Sequence, residues 1–272
     1  MTGFPDDHRA RRAVLVLSEK EIDTLSRKGD TEIFADPDTC VITTREQPGP
    51  GQHALAALIN SNLANSGALL VQSPFDPDTY VDAEDAPEEF ALAKHVLFLD
   101  FCQLLGASRV SVTQVTAVDG DKSESVDVAA ERLGTNLSLG HDRSESEKLK
   151  ARLSLLQELK GGPPDLAAAE RFLCDNRLIA DQTMKSLLRA RAARNGVKRR
   201  IVTLNLSNET KKSLSVVAKL KIPATIEVSG TYKRVANERK TFEIEMEVTF
   251  NEDRVESWTD VLPDGENRTA LE

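Results

Sequence analysis

The amino-acid sequence predicts an α+β fold, with a small α/β portion over residues 10–105 and antiparallel β-hairpins with inserted helices over residues 106–250. In the first portion, short apolar runs alternate with segments of helical period. From Ser108 onward apolar residues recur at every second position, and from Thr241 to Phe250 they do so without exception. Mixed helix and strand signals of this kind are typical of α+β proteins. The boundary is a change of period rather than a linker, so the two portions can share one core.

The composition is that of a folded protein. Of 272 residues, 40% are hydrophobic and 29% are charged, and the chain is long enough to bury one large core or two smaller ones. No apolar run approaches the roughly 18 residues of a membrane-spanning helix, and the N-terminus lacks the apolar stretch of a secretory signal. Three widely spaced cysteines predict reduced thiols and a cytoplasmic location. Residues 251–272 are a predicted loose acidic tail, whose final Leu271-Glu272 we read as a remnant of cloning.

The first portion begins with a buried strand followed by a capped helix. Ala13–Leu17 is a short apolar run, which predicts the strand. Ser18 and Glu21 have the spacing of a capping box, so a helix should begin there and end at Gly29. Further elements of this portion are predicted as strands at Cys40–Thr44 and Ala68–Gln72 and as a helix at His53–Asn65.

Residues 74–89, here called the acidic segment, carry seven acidic residues, three prolines and no basic residue. The acidic residues are Asp76, Asp78, Asp82, Glu84, Asp85, Glu88 and Glu89. This composition predicts an irregular surface loop. The segment lacks the glycine and the spacing of a calcium-binding loop, which favours a solvated loop over a cation site. A helix should follow over Pro87–Leu105, with one buried face made of Phe90, Ala93, Leu97, Phe101 and Leu104.

The second portion begins with a strand that turns at Asp119–Asp121. Apolar residues then change faces, which predicts a β-bulge near Ala129–Arg132. Lys148–Leu159 fits both a strand and a helix, and its composition favours the helix. After a break at Gly161–Asp165, the predicted elements are helices at Pro164–Asp175 and Ala180–Arg194 and a strand at Arg199–Ser207. Glu209–Lys221 fits a helix capped by Ser207, although the alternation from Leu214 to Ile222 also fits a strand.

The last strand carries the strongest pattern in the chain. Its residues Phe242, Ile244, Met246, Val248 and Phe250 should face the core. The predicted partner is Ala224–Val235, joined to it by a three-residue loop at residues 236–238. That register pairs Tyr232 with Phe242, Val228 with Met246 and Ile226 with Val248.

Motifs for catalysis and cofactor binding are absent from the sequence. It contains no GxxxxGK, GxGxxG, CxxC, HExxH or GxSxG pattern. Cys102 lies in an apolar helical pattern, which favours a buried hydrophobic role over a catalytic thiol. We therefore predict no catalytic residue, metal ligand or cofactor. An enzyme whose composite active site is assembled in the N-terminal portion is an open alternative.

Residues 184–200, here called the basic segment, hold seven basic residues and no acidic one in a chain of net charge −9. They are Lys185, Arg189, Arg191, Arg194, Lys198, Arg199 and Arg200. Favourable placement of cations at a helix C-terminus explains two or three of them, and the rest predict an anionic partner. The acidic segment has the opposite sign and a similar length. It could dock on the basic segment within one molecule, or head to tail on a second copy.

Two other anionic partners are weaker candidates. The net negative charge and an aromatic content of 4% argue against nucleic acid, which binds basic, aromatic-rich surfaces. A membrane-acting, pore-forming-like effector would rearrange its amphipathic strands on an anionic bilayer, but Glu243, Glu245 and Glu247 would then line one face. The sequence therefore predicts a soluble, non-enzymatic interaction or self-assembly module whose partner is a protein, itself included.

Overall fold

The computed structural model describes residues 4–118, 147–153, 159–193, 196–205, 207–220, 222 and 241–251. These residues form two separate β-sheets with helices packed against them. The predicted α+β fold class is confirmed.

The first sheet contains four strands in the order β2-β1-β3-β4. They are β1 (Ala13–Leu17), β2 (Thr39–Thr43), β3 (Leu69–Gln72) and β4 (Tyr80–Asp82). Strand β1 pairs parallel with β2 and antiparallel with β3, and β3 pairs antiparallel with β4. All five residues of β1 are buried, as expected for a central strand covered on both faces.

The helices of the first portion are α1 (Glu19–Lys28), α2 (His53–Asn60) and α3 (Ala86–Leu104), with short 3-10 helices at His8–Arg11 and Glu32–Ala35. The predicted capping box is present, because Ser18 Oγ accepts from Glu21 N and Glu21 Oε2 accepts from Ser18 N. Gly29 ends α1 with a φ of +79°. Helix α2 ends five residues before the predicted limit, because the chain turns at Asn62, which has a φ of +58°.

The prediction that the whole acidic segment is an irregular loop is wrong. Strand β4 lies inside it, and α3 begins at Ala86 rather than after it. Val81 pairs with Val71 of β3, and the Tyr80 hydroxyl donates to Arg11 O at 3.0 Å. A strand of three residues is too short to show an alternation of apolar and polar residues in the sequence. The surrounding prolines and acidic residues therefore indicate a loop.

The second sheet contains β5 (Ala107–Val118), β6 (Arg199–Asn205) and β7 (Thr241–Phe250) in the order β5-β7-β6, with antiparallel neighbours. The predicted alternation of β7 is confirmed, since its five apolar residues are buried. Its predicted pairing is wrong for Met246, which lies between Val112 and Val202, and for Val248, which lies between Val110 and Arg200. Neither Met246 nor Val248 can therefore pair with residues of Ala224–Val235, which lie outside the described residues. The third predicted pair, Tyr232 with Phe242, stays a prediction, because Tyr232 lies outside the described residues.

Strand β5 has two irregularities in its pairing with β7 that the sequence analysis did not predict, the first of them between Ala107 and Arg109. The register with β7 shifts between Val112 and Gln114, so Val112 opposes Met246 while Val115 opposes Ile244. This bulge keeps both valines on the covered side of the sheet. The predicted turn at Asp119–Asp121 and the predicted bulge near Ala129–Arg132 lie outside the described residues.

The remaining helices pack around the second sheet. Residues 147–153 are helical, which agrees with the helical alternative for that region. The others are α4 (Leu166–Asp175), α5 (Gln182–Ala192) and α6 (Ser207–Lys219). Asp165 and Asp181 cap α4 and α5, because their carboxylates accept from Ala168 N and Met184 N, both at 2.9 Å.

Helix α3 connects the two sheets, and its buried face differs from the predicted one. Phe90 and Phe101 are buried as predicted, whereas Ala93, Leu97 and Leu104 are only partly buried. The additional fully buried positions of α3 include Ala91, Lys94, His95, Phe98 and Cys102. The buried face is wide because α3 contacts β4, β5, β7, α4 and α6. One hydrophobic cluster consequently includes residues of both sheets.

Candidate interaction surfaces

Arg191 of the basic segment has a structural role inside the fold. Its side chain lies at the end of α5 and is 7% exposed. Its Nε donates to Leu105 O at 3.2 Å, its Nη1 donates to Val197 O at 3.3 Å, and its guanidinium lies 4.3 Å from the centre of the Phe250 ring. The basic segment is therefore not exposed throughout, because Arg191 is buried and joins the end of α5 to the end of α3 and to Phe250 of β7.

The other members of the basic segment are at or near the surface. Arg199 pairs with Glu247 across β6 and β7, and this hydrogen bond raises the pKa of Arg199. Arg200 points to the opposite face and donates to Ser186 O at 3.1 Å and to Ser186 Oγ at 2.8 Å. Arg189 is exposed on α5, Lys185 is half-exposed, and Lys198 is exposed before β6. Arg194 lies outside the described residues.

A groove of about 550 Å³ opens between α5 and β6. Arg189 and Arg200 give it positive charge, and Thr183 and Ser186 add polar groups. Ile201 also lines it and is 59% exposed, which is unusual for a large aliphatic side chain. Sequence reasoning missed the contribution of Ile201, although its position among polar residues of an alternating strand was a usable signal.

Strand β6 is an edge strand of its sheet. In the described part of the chain, no strand pairs with its outer side. Side chains occupy part of that side, because Thr203 O accepts from Thr183 Oγ1 at 3.1 Å and Asn205 O accepts from Lys94 Nζ at 3.0 Å. Backbone groups of alternate residues point to the same side of a strand, so those of Ile201 also point outward beside the groove. An extended peptide could pair there.

The acidic segment provides the edge strand of the other sheet, because the strand order ends at β4. Several of its charges have partners in the fold. Asp78 pairs with the buried Arg11 at 2.7 Å, and Glu88 and Glu89 both pair with Arg152. Arg11 and Arg152 both lie outside the basic segment, so these ion pairs do not dock the two segments on each other.

Carboxylates at the end of β4 lie close enough to repel one another. Burial raises the pKa of Asp82, while the hydrogen bond from Glu84 N opposes that increase and the Glu84 carboxylate adds to it more weakly. Burial also raises the pKa of Asp85, with additional increases from Asp82, Glu89, Glu84 and Glu88. Because burial, and for Asp85 also the neighbouring carboxylates, disfavours the charged forms, a cation placed beside them would stabilise those charges. Asp76 is exposed in the preceding turn, where it accepts from Asp78 N and Thr79 Oγ1.

The thiols of Cys40 and Cys102 and the imidazole of His95 are buried, whereas the thiol of Cys174 is exposed. Burial raises the pKa of Cys40 to about 12 and that of Cys102 well above its ordinary value, so neither is a ready nucleophile. His95 lies on the buried face of α3, and its two ring nitrogens have no hydrogen-bond partner in the described structure. Within the described ranges, no three His, Cys, Asp or Glu side chains converge on a point where a metal ion could bind.

The described helices include none with the length and apolar character needed to cross a bilayer. Comparison with protein-family models found no family that matches the chain. Comparisons with curated proteins and with solved structures found no match either.

His95 should make the stability of the protein depend on pH. Burial lowers its pKa to about 4 in the folded state, whereas its ordinary value is 6.5. Stability is therefore complete above pH 6.5 and falls as the pH drops, because the unfolded chain binds the proton first. We expect protonation of His95 in the unfolded chain to lower the free energy of unfolding by about 2 kcal/mol between pH 7 and pH 5. The free energy of unfolding, measured by urea titration at each pH, should fall less between pH 7 and pH 5 in His95→Leu than in the parent. An equal fall in the two proteins would show that His95 does not cause the pH dependence.

Proposed function

We propose that this protein assembles with copies of itself, with the acidic segment of one molecule binding the basic groove along β6 of the next. The observation that carries the proposal is the position of the two segments. Strand β4, inside the acidic segment, is at an edge of one sheet, and β6, which begins with the last two residues of the basic segment, Arg199 and Arg200, is at an edge of the other. Among the described residues, one sheet therefore ends in a strand bordered by carboxylates, and the other ends in a strand bordered by arginines.

The contact would combine strand pairing with charge attraction. The outward backbone groups of Ile201 can pair with an extended segment, and Arg189 and Arg200 lie along the same groove. The charged forms of Asp82 and Asp85, which are disfavoured mainly by burial, would be stabilised by an approaching guanidinium. Because the two surfaces differ, the contact is head to tail and builds rings or open filaments, depending on the rotation between copies.

The assembly should be weak and sensitive to salt. Strand β4 has three residues, and the charged groups available to the contact are at the surface. Exposed charge pairs contribute about 1 kcal/mol or less each, and salt screens them beyond about 8 Å at physiological ionic strength. Charge therefore sets the orientation and the encounter rate, while Ile201 and the strand edge supply the remaining contact.

Charge reversal tests the proposal by sedimentation velocity at low and high salt. Arg189→Glu and Asp85→Lys should each weaken association about fivefold, and the double variant should recover most of the loss because the pair is restored in reverse. Arg189 and Asp85 are both exposed, so the fold should tolerate these changes. Raising the salt concentration should weaken the parent assembly as well.

Arg171→Glu is the matched control, since Arg171 is an exposed cation on α4 away from the groove. It should leave association unchanged. A chain that stays monomeric at every concentration and salt would overturn the proposal. If nucleic acid were the partner instead, Asp85→Lys would strengthen its binding rather than abolish an assembly.

A further inference from the structure

A second cleft, of about 350 Å³, lies between the end of β3, the loop after α4 and one face of α6. Three cationic side chains line it, Arg12, Arg177 and Lys212, and they come from three distant parts of the sequence. Three serine hydroxyls lie among them, those of Ser73, Ser213 and Ser215. None of the described residues that line this cleft is acidic, in a chain whose net charge is −9.

Arg177 occupies a backbone position where glycine would be expected. The turn that ends α4 has both hydrogen bonds of a Schellman motif, from Leu178 N to Leu173 O at 2.8 Å and from Arg177 N to Cys174 O at 3.2 Å. This motif places Arg177 in the left-handed region, with a φ of +59°. Glycine adopts that conformation without strain, whereas other residues do so at a cost. The backbone therefore does not require an arginine at this position, although its side chain lines the cleft.

Several polar groups in the cleft can donate hydrogen bonds to a ligand, although the Ser215 hydroxyl already donates to Lys212 O at 2.8 Å. Ser73 is 6% exposed, and its Oγ accepts from Phe75 N at 3.3 Å, so its hydroxyl hydrogen can point elsewhere. Arg12 pairs with Asp38 through Nη1 at 3.2 Å, which leaves further N–H groups of the same guanidinium. Arg177 and Lys212 are exposed and contribute charge without a carboxylate in the lining.

We propose that this cleft binds a small anion that carries a phosphate group. Two guanidinium groups, an ammonium group and hydroxyl donors around one polar cavity are the groups that bind phosphate through charge-assisted hydrogen bonds. The cavity is within the size range of small-molecule sites. This site is separate from the α5–β6 groove, since the two share no lining residue.

Calorimetric titration with inorganic phosphate and with pyrophosphate, at low ionic strength, tests the proposal. Pyrophosphate should bind more tightly than phosphate because it carries more charge, and acetate at the same concentration should not bind. Arg12→Ala and Lys212→Ala should each weaken pyrophosphate binding about tenfold, the loss expected for one charge-assisted hydrogen bond. Absence of binding at millimolar pyrophosphate, or binding that neither variant weakens, would overturn the site.

Arg177→Gly separates a ligand-binding role from a structural one. It should raise the melting temperature by about 2 °C, because the strained conformation becomes unstrained, while it weakens pyrophosphate binding about tenfold. Asn62→Gly is the matched control, since Asn62 has nearly the same φ, +58°, outside the cleft. It should leave binding unchanged. Unchanged pyrophosphate affinity in Arg177→Gly would show that the arginine serves only the end of α4.

The two proposals fail independently. Arg189→Glu should leave pyrophosphate affinity unchanged, because Arg189 lies in the other groove. Lys212→Ala should leave the sedimentation of the assembly unchanged. If Arg189→Glu weakened pyrophosphate binding as strongly as Lys212→Ala, the anion would bind by general attraction to surface cations, and the cleft would not be the site.

Discussion

Replacing Met246 by glutamate should lower the free energy of unfolding by about 4 kcal/mol or more, which is among the largest effects of a single substitution. Met246 lies in the middle of the central strand β7, between Val112 and Val202, and its side chain is completely buried. A carboxylate there would lose its hydration without gaining an opposite charge. Urea denaturation followed by circular dichroism measures the loss.

Two neighbouring substitutions control for general disturbance of the strand. Met246→Leu keeps the volume and the apolar character, so it should cost less than about 1.5 kcal/mol. Thr249→Glu adds the same charge on the partly exposed face, opposite Arg199, and should change stability by no more than about 0.5 kcal/mol. If Met246→Glu melted within a degree or two of the parent, the buried position of β7 would be wrong.

Strand β7 illustrates what a period can and cannot predict. Alternation along Thr241–Phe250 determines which side chains are buried, because successive residues point to opposite faces. It contains no information about which strands pair on either side, since many apolar strands would match. The segment that precedes β7 in the sequence is the simplest predicted partner. The strands that pair with β7 are instead β5 and β6, and β5 lies more than 120 residues earlier in the chain.

Local signals were more reliable than long-range ones. The capping box at Ser18 and Glu21 requires contacts only three residues apart, and the sequence alone was sufficient to predict it. The buried face of α3 could not be predicted in the same way. Lys94 and His95 are polar, so the sequence does not indicate that they are buried. Their positions are buried because α5 and the second sheet pack around α3.

For the candidate surfaces, too, local features could be predicted from the sequence and long-range contacts could not. The charge of the basic segment was visible in the sequence, but the partner of each arginine was not. Arg191 donates a hydrogen bond to Leu105 O, 86 positions earlier in the chain, and its side chain is buried. The cationic cleft was not predicted at all, because Arg12, Arg177 and Lys212 are isolated in sequence and meet only when α6 packs against β3.

Removing the carboxylate of Asp181 should have an effect as large as that of Met246→Glu. Lys94 Nζ and Asp181 Oδ2 are 2.8 Å apart, and the two side chains are 1% and 8% exposed. Losing one member of a buried ion pair costs about 3–5 kcal/mol, because the other charge keeps its desolvation penalty. Asp181 also caps α5, so Asp181→Ala removes a cap as well, worth about 1 kcal/mol. Asp181→Ser can keep the cap and should therefore cost less than Asp181→Ala.

A double-mutant cycle distinguishes the ion pair from simple packing around α5. Lys94→Met together with Asp181→Ser removes both charges and leaves an apolar side chain of similar length on α3. The double variant should lie within about 2 kcal/mol of the parent, because neither buried charge remains to be desolvated. The losses of unfolding free energy measured for Lys94→Met and for Asp181→Ser should add up to more than the loss in the double variant, by more than about 2 kcal/mol. If the single costs simply add, the two groups do not stabilise each other, and the contact between α3 and α5 depends on its apolar residues alone.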